Sequence, residues 1–311
     1  MKLSLYSSAA WKHPFGLLKL VEWASKYGYD AVGIRGLSFD VPTGLTPRNI
    51  RAFGYDMIGP KFLSEKGKRD LVETIKSRNL FISEISVYTP LSVPDQNIRE
   101  ECLKIVHKYI DFAVEIGAKR LRTIGASGKW ALTHNLTGEE AFKLVLNSLK
   151  RITSHIENVE LPILIETVEG GVLSTAEKCL ELIEELDSDL FRVALDPINL
   201  YFEQQDINEA IKLLGSHIDI VHSKNAVRTK PAEGTFNIKG YGYKWASISE
   251  GDLNWTEILC SLRKVGFNKE VMYEYVNPFK GMGRNYWMEI PEPEVWIEEN
   301  ALFMRKALSK L

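Results

Sequence analysis

The chain has 311 residues, with 39 Lys and Arg against 41 Asp and Glu, for a formal net charge of −2. That near balance argues against a surface built to neutralise nucleic-acid phosphates, and 45% hydrophobic with 26% charged residues excludes intrinsic disorder while leaving ample apolar surface for a large core. Three cysteines, Cys102, Cys179 and Cys260, form no C-x-x-C pair for zinc or thiol exchange, which fits a reducing, cytoplasmic setting.

The amino-terminal stretch MKLSLYSSAAWKHPFG alternates apolar residues with serines and has no continuous apolar segment of the kind a signal peptide needs. No run of about 18 apolar residues follows, so no membrane helix is expected. Instead, short apolar runs alternate with longer stretches of helical period almost from end to end, which is the pattern of repeated βα units. The predicted strands are eight: Leu3–Tyr6, Ala31–Ile34, Phe81–Val87, Arg120–Ile124, Leu161–Ile165, Phe191–Leu195, Ile218–Val221 and Val271–Tyr273. Between them, Leu17, Leu20, Val21 and Ala24 share one helical face, as do Ile98, Cys102, Ile105, Val106, Tyr109, Ala113 and Ile116, then Leu180, Ile183 and Leu186. Capping boxes at Thr137–Glu140 and Ser174–Glu177, with the Asn variant at Asn254–Glu257, mark helix starts independently.

Eight parallel strands with right-handed helical crossovers and no mid-chain linker close most economically into a single-domain (β/α)8 TIM barrel spanning residues 1–311. The competing open, doubly wound sheet lacks its G-x-G-x-x-G fingerprint at the first βα junction. Two connections are too long for turns and are read as site-shaping loops: residues 223–251, with Phe236, Tyr241, Tyr243 and Trp245, and residues 277–290, with Gly281, Gly283 and Arg284. Tyr286, Trp287 and Trp296 are read as exposed aromatics near the carboxyl end. They would form a contact between copies in a homo-oligomer or pack a loop.

In a barrel the carboxyl ends of all strands meet at one mouth. Four late strands close on a ligand-type residue: LPILIE at Glu166, FRVALD at Asp196, HIDIVH at His222 and VMYE at Glu274. Three buried carboxylates brought together would repel one another without a compensating cation. The four are therefore read as ligands of one divalent metal ion. The hard, oxygen-rich donor set favours Mn²⁺, Mg²⁺ or Co²⁺, with Zn²⁺ also compatible.

In that order and at those strand ends, the quartet resembles the metal ligands of the sugar phosphate isomerase/epimerase family, the xylose-isomerase-like barrels that include the ketose 3-epimerases. The segment EGDLNW (Glu250–Trp255) is similar to the turn and Trp that precede the seventh helix there. The resemblance implies a divalent metal, a carbohydrate-like substrate, and Glu166 and Glu274 as catalytic acid/base groups, with Asp196 and His222 as ligands only. Proton transfer through an enediolate would epimerise or isomerise a sugar, sugar acid or sugar phosphate. Loss of water from a keto-polyol, as in an inosose dehydratase, is the alternative use of the same proton abstraction. A barrel nuclease would need several more histidines, and a non-catalytic sugar-binding relative would not need the glutamate pair.

Two departures from the family pattern bear on substrate. The run Asp196-Pro197-Ile198-Asn199 has Asn199 where many epimerases place a substrate-touching His, and VGIRG has Arg35 where many relatives place a Glu at the second strand's end. Asn199 donates and accepts but carries no proton, and Arg35 aimed into the mouth suits a carboxylate or phosphate. Arg122, Arg228, His13 and Trp11 complete the substrate-binding candidates, with Lys244 in the long seventh loop beside them. His107 and His155 read as structural.

Overall fold

The computed structural model describes residues 1–10, 16–36, 57–60, 63–123, 135–232, 235–275 and 292–311. His13, Trp11, Ile124, Tyr286, Trp287 and the loop at 277–290 lie outside these residues. The strands are β1 (Lys2–Tyr6), β2 (Ala31–Gly36), β3 (Met57–Ile58), β4 (Phe81–Val87), β5 (Leu121–Thr123), β6 (Ile163–Glu166), β7 (Phe191–Leu195), β8 (Ile218–Ser223), β9 (Asn225–Thr229), β10 (Phe236–Ile238), β11 (Tyr241–Ala246) and β12 (Glu270–Tyr273). Parallel pairing runs β1-β12-β8-β7-β6-β5-β4-β2, and β1 pairs with β2 to close the ring. The fold is the eight-stranded barrel expected from the sequence, and the open sheet is excluded. Short β3 only extends the end of β2, Arg35 opposite Met57.

The helices are α1 (Gly16–Lys26), α2 (Glu65–Lys76), α3 (Gln96–Glu115), α4 (Gly138–Lys150), α5 (Thr153–Val159), α6 (Ala176–Leu186), α7 (Pro197–Phe202), α8 (Ile207–Leu214), α9 (Trp255–Lys264) and α10 (Pro293–Leu308). On α3 the expected face is buried, with Cys102, Ile105, Val106, Tyr109 and Ala113 in the core. Each large apolar side chain covered there contributes roughly 1.5–3 kcal/mol. Among the described residues no helix is long and apolar enough to cross a membrane.

Local differences from the sequence expectation have local causes. Strand β6 starts at Ile163 because Leu161 N–H donates to Ile156 O at 3.2 Å to end α5, and Pro162 has no N–H for the ladder. The Thr137 capping box forms reciprocally, but α6 is capped by Thr175, one residue later than expected, while Glu177 accepts from Gln205 Nε2 at 2.8 Å. Trp296 is buried on α10 against Tyr275, ring centroids 5.7 Å apart, so it is no exposed contact.

The long seventh connection is not an open loop. Its β9, β10 and β11 form a small antiparallel sheet in the order β10-β11-β9. Along β11 the period of two places Tyr243 and Trp245 in the core, where they meet Phe202 of α7 at 4.5 and 6.0 Å between ring centroids. Gly242, just before Tyr243, has no room for a side chain, since a Cβ would lie 2.5 Å from Lys230 O.

Inside the ring the same period of two stacks layers. Tyr6, Leu164, Ala194, Ile220 and Met272, one from each of five strands, form an apolar cluster of their own. Strand β2 contributes Gly33 beside it, because a Cβ there would meet Met272 Sδ at 2.3 Å and Tyr6 Cδ2 at 3.0 Å. Toward the amino ends of the strands, Arg120 pairs with Asp219 and with Glu270 Oε2 at 2.7 Å. Lys269 also pairs with Asp219, and Lys119 with Glu270 at 2.9 Å. Asp219 reaches this layer as a bulge: β7–β8 pairing steps from Val193–Ile218 to Ala194–Ile220 and skips it.

Candidate metal centre and active site

Each of the four predicted ligands follows an interior floor residue by two positions: Leu164 and Glu166, Ala194 and Asp196, Ile220 and His222, Met272 and Glu274. Alternation along a strand therefore carries all four to the same side, one layer nearer the mouth. Glu166, Asp196, His222 and Glu274 are all buried, and one ligand atom from each lies within 4.8 Å of the others. His222 Nδ1 stands 3.1 Å from Glu166 Oε1 and 4.0 Å from Asp196 Oδ2. The ladder runs one residue past β12, Glu274 N–H donating to Ser223 O at 3.1 Å, which fixes the approach of Glu274.

Asp196 is divided between two tasks. Its Oδ1 accepts from Ile198 and Asn199 N–H at 3.2 and 3.4 Å as the cap of α7, whose first residue is Pro197. Its Oδ2 is turned to the centre, held by Asn199 Nδ2 at 2.8 Å. Asn199 Nδ2 also donates to Thr167 O at 2.8 Å, so the structure places this residue as a brace on Asp196.

Sequence reasoning missed two charged residues here. Lys224 continues the β8 alternation beyond His222; its ammonium is 2.7 Å from Asp196 Oδ2 and also contacts Glu274 Oε2. Glu84, the lone charge inside FISEISV, is fully buried on β4, with Oε1 accepting from Arg122 Nε at 2.7 Å and Oε2 3.7 Å from His222 Nε2. Both signals were in the sequence: a Lys two places after a strand-end His, and a charge in an otherwise apolar strand. Arg122 then bridges to Glu166 Oε2 at 2.5 Å. Its Nη2 donates to the Tyr6 and Tyr88 hydroxyls at 2.9 and 3.1 Å, so its fork spans carboxylates and phenols of the protein itself.

The charges do not balance without an ion. Glu84, Glu166, Asp196 and Glu274 face Arg122 and Lys224, so two negative charges remain when His222 is neutral, as a metal-ligating imidazole is. A single dication cancels them. The ion-free site instead recruits protons: burial alone would lower His222, yet the Glu166 and Glu84 carboxylates pull it up to about 10. Burial pushes Asp196 up against the pull of Lys224. Glu274, despite burial, is held down at about 2 by Lys224 and His222, and Glu166 well below the usual carboxylate range by Arg122 and His222. Behind the imidazole, Glu84 Oε2 and His222 Nε2 are buried and make no hydrogen bond. A carboxylate on that side of the ring would favour the tautomer protonated at Nε2, leaving the Nδ1 lone pair for the ligand cluster. The donor set fits a divalent ion.

Arg35 is buried at the end of β2, its backbone N–H on Ser7 Oγ at 2.9 Å and its guanidinium 5.8 Å from the Tyr6 ring. Arg228 lies on β9 among Tyr201, Tyr241 and Tyr243, at 4.9, 4.4 and 5.9 Å from the ring centroids. Outside the barrel, His107 and His155 face each other, Nδ1 to Nδ1 at 2.7 Å, with Asp111 2.8 Å from His155 Nε2.

A family model described as the xylose isomerase-like TIM barrel matches residues 21–307. The chain is 22% identical over 200 residues to the D-psicose 3-epimerase of Ruminiclostridium cellulolyticum, a match covering 62% of this chain and 60% of that protein's length. Among solved structures, a D-psicose 3-epimerase with D-tagatose from Clostridium cellulolyticum H10 is similar with a TM-score of 0.73, 17% identity and 99% of both chains covered. An IolI protein with a bound zinc atom also gives 0.73 at 17% identity, covering 100% of this chain and 99% of the other. A probable 3-DHS dehydratase involved in petrobactin synthesis from Bacillus anthracis gives 0.69 at 18% identity, covering 98% and 99%. At these identities the structural likenesses establish the fold.

Proposed function

The chain belongs to the xylose isomerase-like TIM barrel family, matched from residue 21 to 307, and from that premise we propose that it is a divalent-metal-dependent isomerase or epimerase of a sugar, sugar acid or sugar phosphate. The observation that carries this reading is the convergence of Glu166, Asp196, His222 and Glu274 from four strands on one buried point. These four would hold the ion, with Mn²⁺, Mg²⁺ or Co²⁺ favoured by the oxygen donors and Zn²⁺ compatible. When bound, it would act as a Lewis acid toward a substrate carbonyl and the neighbouring hydroxyl.

The residues of the chain do the rest. Glu166 and Glu274 enter the cluster from different strands, β6 and the end of β12, and both are ionised at neutral pH. One removes a proton from the carbon beside the carbonyl. The other, having first taken a proton from solvent, delivers it from another direction, or the first returns its own to the neighbouring carbon; the former inverts a centre and the latter interconverts aldose and ketose. Arg122 and Lys224 steady the two carboxylates, Glu84 orients His222, and Asn199 braces Asp196. Arg35, with His13 and Trp11 from the first loop, is the candidate for an anionic or polar substrate end. Likeness to the epimerases favours C3 inversion of a ketose, and likeness to the dehydratase favours a second reading in which water leaves after the same abstraction.

Incubation of D-psicose, D-tagatose and D-fructose with the Mn²⁺-loaded protein in D₂O tests this. Deuterium beside the carbonyl together with an epimer or isomer supports the proposal; an unsaturated product transfers it to the dehydratase reading. Absence of exchange across neutral, acidic and phosphorylated sugars overturns both.

A further inference from the structure

The Lys224 side chain is 6% exposed, whereas Lys119, Lys239 and Lys269, also paired with buried carboxylates, leave 45%, 48% and 47% of their side chains in solvent. A lysine is rarely buried to that degree unless its charge is matched. Its ammonium lies between Asp196 Oδ2, at 2.7 Å, and Glu274 Oε2. Those two oxygens belong to the residues that would hold the ion. The backbone under it is tied down: Trp255 Nε1 donates to Lys224 O at 3.2 Å, and Asn225 donates to Ile248 O and Leu253 O at 3.0 Å each. Asn225 Oδ1 accepts from Leu253 N–H at 3.1 Å. Gly251 makes room for that anchor, since a Cβ there would fall 2.1 Å from Asn225 Cγ. The four-carbon stem above this fixed base remains the only adjustable part.

Resting on the metal reading of the preceding section, we propose that Lys224 is a resident counter-cation: it occupies the Asp196–Glu274 side of the cage in the ion-free protein and competes with the dication for the same oxygens. Two consequences follow from charge alone. The ion-free protein keeps a partly compensated cluster, Lys224 offsetting one of its carboxylates, and folds before it is loaded. The ion is held less tightly than the bare carboxylates would hold it, because entry displaces or repels an ammonium already in contact.

The test compares wild type with Lys224→Met, which keeps the stem without the charge, and Lys224→Arg, which keeps the charge. Mn²⁺ affinity is measured by calorimetric titration, and thermal unfolding is followed in EDTA and in saturating Mn²⁺. K224M is expected to bind Mn²⁺ about tenfold or more tightly, to melt lower than wild type in EDTA, and to show a larger rise on loading. K224R is expected to keep affinity within a few-fold of wild type. Should K224M not fold without metal, Lys224→Gln, which keeps a hydrogen-bond donor, carries the same affinity test. Unchanged or weaker Mn²⁺ binding by the uncharged variants overturns the proposal while leaving the metal reading intact. Failure of the wild type itself to bind any divalent ion overturns that reading.

Discussion

The barrel holds two layers of buried charge, and their stoichiometry is opposite. Near the amino ends of the strands, Asp219 and Glu270 are shared by Arg120, Lys119 and Lys269, three cations to two carboxylates. Near the carboxyl ends, Glu84, Glu166, Asp196 and Glu274 share Arg122 and Lys224, four carboxylates to two fixed cations, with His222 as the adjustable member. A single strand supplies both arginines, Arg120 at its entrance and Arg122 within it. Burial and ion pairing are thus common to both layers and identify neither. The lower layer has cations in excess and no anionic site left to fill, consistent with stability, whereas the upper one has a charge deficit that a dication repairs.

The contrast is sharpest when each layer is broken in turn. Glu166→Gln and Glu274→Gln should lower turnover by about 10²- to 10⁴-fold, with far-ultraviolet circular dichroism unchanged; retained turnover would remove the upper layer from the chemistry. Glu270→Ala, which strands Arg120 on one side, should cost roughly 3–5 kcal/mol in urea unfolding while the folded fraction keeps its Mn²⁺ affinity. If ion binding fell with it, the two layers would not be independent. Glu84→Gln belongs to the upper layer without touching an ion, and should weaken Mn²⁺ binding about 10- to 100-fold in calorimetry.

The smallest effect is read as a difference between wild type and one variant, because His222, raised to about 10 in the ion-free protein, contributes stability that falls as pH climbs through 6.5 toward 10. His107 has the opposite sign. Burial and the facing His155 lower it below its ordinary 6.5, so the unfolded chain binds the proton more readily. Its contribution is complete above 6.5 and is lost as pH falls through 6.5 toward the lowered value. Wild type should therefore lose melting temperature relative to His107→Gln on mild acidification from neutral pH; parallel pH profiles for the two proteins would place the titration elsewhere.

Strand-end periodicity made the barrel and the quartet legible, because a ligand-type residue closing an apolar run needs only its own strand to be noticed. Partners set by neighbouring strands were not. That Arg122 would meet Glu84 and Glu166 depends on the register of β4, β5 and β6, and an Arg read alone looks available to a substrate. Asp219 enters its layer through a bulge, which shifts parity without leaving a mark in the amino acids. The β9–β11 sheet was hidden because Gly240 and Gly242 interrupt a run whose aromatic alternation is otherwise strand-like. Residue type announced Trp296 as a surface aromatic, whereas its place on α10 against Tyr275 is a matter of helix docking.

The apolar floor of Tyr6, Leu164, Ala194, Ile220 and Met272 makes this barrel a cup and not a tube. The one hydroxyl in that floor, on Tyr6, is committed to Ser86, Tyr88 and Arg122, so it offers no wire for hydrons toward the far end. With the floor closed in this way, an isotope captured from a substrate at the quartet would be washed out from the mouth side, at the rate solvent enters there.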